Sequence, residues 1–179
     1  MKRIFWLVAL MSLAGCASLC PMSWCAKARA VATLHSTSPD ATVGGTVQFA
    51  ETSHGLRITV HVEHAAPGMH GFHIHEGNSC DDMAKAAGGH YNPAGMRHGY
   101  LPKEGLLQVH AGDFGNIAVG KNGRGSRSFT MPGLTLVGGT YPVVGRAVVL
   151  HAKQDDLASQ PAGNAGERIA CGIIAAQGQ

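Results

Sequence analysis

The chain has 179 residues, enough for one hydrophobic core and too few for two sizeable ones. Its formal net charge of +3 comes from 14 Lys and Arg against 11 Asp and Glu, with no basic run, which excludes nucleic-acid binding as a first reading. Only 14% of residues are charged and 25 are glycine, a composition that suits short strands joined by many turns.

The N-terminus reads as a targeting segment. Lys2 and Arg3 precede an apolar stretch from Ile4 to Ala14, the layout of a secretory signal, and it is too short to read as a spanning helix. Leu13, Ala14, Gly15 and Cys16 resemble a bacterial lipobox, in which Cys16 becomes the acylated first residue after residues 1–15 are removed. The alternative is an ordinary signal cut near Ala28 or Ala30, giving a soluble periplasmic protein. Those sites lie far from the apolar stretch. Residues 16–40, rich in Ala, Ser and Thr, read as a flexible tether, and 41–179 as the folded domain. Cys20 and Cys25 in the tether can pair or stay free.

Strand patterns follow. Val47 and Phe49 alternate with Thr46 and Gln48; Leu56, Ile58, Val60 and Val62 alternate with Arg57, Thr59, His61 and Glu63. TSHG at 52–55 signals a hairpin turn, and KNGRG at 121–125 holds an Asn-Gly pair. Val143–Leu150 and Ile169–Ile174 are nearly continuous apolar runs, as central strands are. No sustained helical period follows residue 30. The expected fold is all-β, a Greek-key β-sandwich or flattened barrel carrying long loops.

The chemistry concentrates in histidines. In a strand, residues two apart share a face, so His73 and His75 of GMHGFHIHEGNSC point the same way. Two imidazoles on one face make half of a four-nitrogen square, a geometry that suits Cu(II). His70 falls on the opposite face and reads as a hydrogen-bonded core histidine. The segment from Gly88 to about Phe114 is punctuated by Gly, Pro and Asn and reads as a long loop. It holds His90, His98, His110 and Asp113: three imidazoles and a carboxylate, the closed set of a structural zinc site. The HxxD spacing puts His110 and Asp113 on one turn, and a metal clip gives such a loop a reason to exist in a compact domain.

GMHGFHIHE, GGHYNP, HAGDFGN, VVLHAKQDD and GNAGERIACG together resemble the copper–zinc superoxide dismutase family, in its bacterial exported, lipoprotein-type branch. The motifs occur in the family's order over about three-quarters of the chain. The resemblance implies copper ligands His73, His75, His90 and His151 and zinc ligands His90, His98, His110 and Asp113, with His90 shared between one copper and one zinc per subunit. It implies that Asp155 hydrogen-bonds His73 and His98, that Cys80 and Cys171 form a disulfide, and that Arg168 attracts the anionic substrate. Asp156 takes no role.

The implied activity is dismutation of superoxide to oxygen and hydrogen peroxide by a copper redox cycle, with structural zinc, protecting the cell envelope from its periplasmic side. Catalysis would rest on Arg168 and on His90 as a proton source. The partners are the small anion and, through the N-terminal anchor, a membrane; the protein is a monomer or homodimer. Two other readings share the fold: a copper-binding lipoprotein without catalysis, and a sandwich that has lost its metals. The complete ligand set opposes the second, and Arg168 with an intact zinc set opposes the first. The loop before Arg168, ASQPAGNAGE, carries only Glu167, so steering of the anion falls to other groups, with Lys153 and Lys103 as candidates.

Overall fold

The computed structural model of the protein describes residues 28–178; the signal segment, Cys16, Cys20 and Cys25 lie outside the described residues. In chain order the strands are β1 Arg29–Ser36, β2 Gly44–Thr52, β3 Gly55–Glu63, β4 Gly68–His75, β5 Asp113–Val119, β6 Gly125–Met131, β7 Leu134–Thr135, β8 Tyr141–Pro142, β9 Ala147–His151, β10 Arg168–Ile173 and β11 Ala175–Ala176. A 3-10 turn at Lys85–Ala87 and a single helical turn, α1, at Leu101–Glu104 are the helical pieces among the described residues. None of them is long and apolar enough to cross a membrane.

Eight strands close into an antiparallel barrel in the order β1-β2-β3-β6-β5-β4-β9-β10, and β10 pairs back onto β1. Closure removes exposed strand edges, which otherwise template aggregation. β3 to β6 appear in space as β3-β6-β5-β4, the Greek-key return. β11 adds to the start of β1, and β7 with β8 form a separate short parallel pair.

Period-2 alternation fills the barrel. Val47, Phe49, Leu56, Ile58, Val60 and Val62 are buried from β2 and β3, and Phe72, Ile74, Ile117, Val148 and Leu150 meet them from the other wall. The β2–β3 hairpin turns where TSHG places it, with Thr52 paired to Gly55.

Two expectations are corrected. Residues 29–36 are not tether. Ala30, Ala32 and Leu34 point into the barrel at 1%, 0% and 2% exposure, alternating with Arg29, Val31, Thr33 and His35. The folded domain therefore begins twelve or so residues earlier than residue 41, because β1 is needed to close the barrel against β10. The 88–114 segment also contains the α1 turn, which opens on Leu101 and Pro102, where the fixed proline φ suits a first turn.

A candidate dinuclear metal centre

β4 delivers the first two candidate ligands. Phe72 and Ile74 face the core, so His73 and His75 project from the outer face of the barrel; both are buried beneath the loops that follow β4 and β9. His151 ends β9, the neighbour of β4, and His90 pairs with His75 through an isolated β-bridge. Each of the four offers a ring nitrogen, and these atoms lie within 4.8 Å of one another. His70, on the core-facing side of β4, is 3% exposed, with Nδ1 2.8 Å from the His151 carbonyl and Nε2 2.8 Å from the Ala66 carbonyl.

Hydrogen bonds fix which nitrogen is bare. A carbonyl only accepts, so His75 Nδ1 donates to Gly88 O at 3.0 Å and His151 Nδ1 donates to Gly166 O at 3.2 Å. That leaves two lone pairs facing each other, His75 Nε2 and His151 Nε2, only 3.3 Å apart. His73 Nε2 donates to Asp155 Oδ2 at 2.8 Å, which leaves His73 Nδ1 bare, buried and without a partner. His90 Nε2 is likewise buried and unpartnered. Four buried nitrogen acceptors converging on one space are costly without a cation and fit one well.

The second cluster is built on Asp113, at the start of β5. His90 Nδ1 lies 2.7 Å from Asp113 Oδ1, His98 Nδ1 lies 2.8 Å from Oδ2, and His110 Nδ1 lies 3.2 Å away. The amide of Asp113 donates to the His110 carbonyl, so these two side chains sit on one turn. These four donors also lie within 4.8 Å of one another. His98 Nε2 donates to Asp155 Oδ1 at 2.9 Å, so its Nδ1 is bare and, despite its closeness to Asp113, makes no aligned hydrogen bond. A lone pair facing a carboxylate oxygen calls for a positive charge between them. Three nitrogens and one oxygen suit zinc.

His90 belongs to both sets, through Nε2 on one side and Nδ1 on the other. Asp155 joins them from behind: it is fully buried and accepts from His73, His98 and the Leu157 amide. Gly163, at φ 64°, passes so close that a Cβ there would lie 1.9 Å from Asp155 Oδ1, so this left-handed position admits only glycine.

Two side chains escaped the sequence reading. Asn116 brackets Asp155, its Oδ1 accepting from the Asp155 amide at 2.8 Å and its Nδ2 donating to the Asp155 carbonyl at 2.9 Å. Gln160 does the same for His98, at 2.7 Å and 3.1 Å. Each amide imitates one rung of a strand pair. No local pattern marks this, because the partners lie 39 and 62 residues apart.

Arg168 opens β10 in register with His151. Its guanidinium donates to the carbonyls of Ala84 and Gly88, the latter at 2.6 Å. Gly88 O thus serves both Arg168 and His75. The segment carrying these carbonyls is pinned by the Cys80–Cys171 disulfide.

A family model for copper/zinc superoxide dismutase matches residues 43–174. The chain belongs to that family. The crystal structure of the clock protein EA4 is similar, with a TM-score of 0.72 and 32% identity over 83% of this chain and 94% of that one. Family membership makes the chain an oxidoreductase, a superoxide dismutase that uses copper and zinc.

The metal-free dismutase should show a stability maximum near pH 6.5. Burial pushes His90 down to about 4 and His151 to about 3. Both stay neutral when folded, so stability falls as pH drops below the ordinary histidine value of 6.5 towards those values. His98 goes the other way: burial lowers it, but the carboxylates of Asp113 and Asp155, which accept from the two ring nitrogens once the imidazole is charged, outweigh burial and raise it to about 9. A proton then stands where zinc would, and its stabilisation is full below 6.5 and lost as pH rises through about 9. Calorimetry of chelator-stripped protein from pH 5 to 10 checks this. A melting temperature that climbs steadily to pH 9 would contradict it.

Proposed function

We propose that this dismutase is an exported, lipid-anchored member of its family that removes superoxide at the cell envelope. In this reading His73, His75, His90 and His151 hold copper, and His90, His98, His110 and Asp113 hold zinc. The observation that carries it is the set of unpartnered buried nitrogens, His73 Nδ1, His90 Nε2 and His98 Nδ1, each aimed into one of the two clusters. A four-nitrogen set suits a redox copper, and a closed set with a carboxylate suits zinc.

When bound, copper would supply the one-electron couple, and zinc would hold the loop without redox chemistry. The chain supplies the rest. Arg168 docks the superoxide anion: guanidinium stays charged at any working pH, and the Ala84 and Gly88 carbonyls hold it beside His75. His90 Nε2 is the atom where a proton would be held and given to the reduced product, since its buried lone pair has no protein partner and takes copper or a proton, one at a time. The Gly88 and Gly166 carbonyls and Asp155 keep the other rings in one tautomer.

Export is supported by the oxidised Cys80–Cys171 pair, since such bonds persist in oxidising compartments. Cleavage at Cys16 is favoured over a cut near Ala30, because Ala30 is buried in the barrel and pairs with Phe49 and Ala176. A cut there would remove the start of β1, while a cut at Cys16 leaves it whole.

Arg168→Glu tests the docking role. It should slow superoxide consumption by at least about tenfold at low salt and invert its salt dependence, since salt screens attraction in the wild type and repulsion in the variant over about 10 Å at 0.1 M. Arg168→Lys should keep part of the rate, because the charge survives and the planar fork does not. Stopped-flow rates at two ionic strengths, with metal content measured on each sample, decide. Wild-type salt dependence in both variants would reduce Arg168 to a clasp for the 80–88 loop.

A further inference from the structure

The barrel carries a basic cleft on the wall that faces away from the metals. In the closed order of eight strands, β2 stands opposite β4, the strand of His73 and His75. On the outer face of β1, β2 and β3, Arg29 pairs with Ala50, and Ala50 pairs with Arg57. Two arginines therefore flank a methyl group, with their Cα atoms about 10 Å apart at two strand spacings. The gap is a cleft of about 430 Å³, lined also by Gln48, Thr59 and Gln177.

The cleft is set up for an anion. Arg29 and Arg57 are exposed, and neither has an ion pair among the described residues. Among the described residues, no carboxylate lines it. Glu51, next along β2, is turned away and accepts from the Leu136 amide at 2.8 Å. Glu63, at the far end of β3, lies 3.7 Å from Arg124. The rest of this face carries Thr33, Thr46, Gln48, Thr59, Ser126 and Ser128, with Val31, His35 and His61 among them.

The cleft also sits where the chain would be tied down. Arg29 begins β1, thirteen positions along the chain from Cys16. A fully extended segment of that length spans at most about 45 Å. We propose that Arg29 and Arg57 clasp the phosphate of an anionic membrane lipid, laying the β1–β3 wall against the bilayer and turning the histidine clusters outward. This rests on the lipid-anchor reading. Two arginines are too few to recruit a free protein to a membrane, but they suffice to orient one already tethered, because the tether supplies the local concentration.

The test uses the full chain as isolated from cells, placed on lipid nanodiscs of phosphatidylcholine alone or with phosphatidylglycerol. An arginine-directed dicarbonyl reagent is added, and modification is read by mass spectrometry. Arg29 and Arg57 should react about threefold more slowly or less on anionic discs, with the difference abolished near 1 M salt, where the screening length is about 3 Å. Arg97, in the loop of the histidine clusters on the opposite wall, serves as the unchanged reference. Ala50→Glu, which sets a carboxylate between the two guanidinium groups, should remove the protection. Equal reactivity on both discs overturns the proposal. Equal protection by inorganic phosphate on phosphatidylcholine discs overturns the lipid assignment in favour of a free oxyanion. Flotation reads the anchor separately: if Cys16→Ser floats as well as the wild type, the lipid at Cys16 is not the tether and the anchor reading fails, while loss of protection in Ala50→Glu with flotation kept still scores the cleft.

Discussion

Asp155→Ala is expected to weaken retention of both metals together, by about 10–100-fold for each. One buried carboxylate accepts from His73 in the first cluster and from His98 in the second. Without it, two ring N–H groups lose their acceptor in a fully buried space, at about 1–3 kcal/mol each. Both rings are then free to turn their bare nitrogens away from the metals. Asp155→Asn should fall between, since the amide keeps one acceptor oxygen and so can hold one of the two rings. Chelator competition followed by elemental analysis reads copper and zinc separately. Loss of a single metal, with the other held as tightly as in the wild type, would break the claim that Asp155 couples the sites.

Cys171→Ser should cost about 4–5 kcal/mol of stability, because the bond spans 91 residues of sequence and chain entropy scales with that length. The effect should reach the site as well. Cys80 and Cys171 pack with Ala84, Ala87, Ala147 and Val149 in a small apolar cluster. That cluster seats the segment whose Ala84 and Gly88 carbonyls hold Arg168 and His75. Activity per bound copper should therefore drop even at temperatures where the variant is folded. Urea unfolding and activity normalised to copper check the two parts. A variant destabilised but fully active per copper would show that the segment keeps its shape without the bond.

Much of the site was legible because its chemistry is local and dense. His73 and His75 share a face by period 2, and His110 and Asp113 share a turn, so four of the seven clustered side chains follow from spacing. The long-range partners do not. Asn116 and Gln160 act on backbone groups far along the chain, and an amide side chain carries no mark of its acceptor. The carbonyls of Gly88 and Gly166, which set two tautomers, have no side chain to read at all. In the fold, β3 was plain because Leu, Ile and Val alternate with polar residues. β1 was missed because its buried positions are mostly alanine, which signals burial weakly and read as tether composition. α1 is four residues long, too short to show any period.

Anomalous X-ray diffraction at the copper and zinc absorption edges, on protein loaded with both metals and assayed for superoxide consumption from the same preparation, tests the central assignment most directly. The expected result is copper among His73, His75, His90 and His151, zinc among His90, His98, His110 and Asp113, and rapid dismutation by that sample. Zinc in both clusters with dismutation intact, or copper in its cluster with no superoxide consumed, would contradict it.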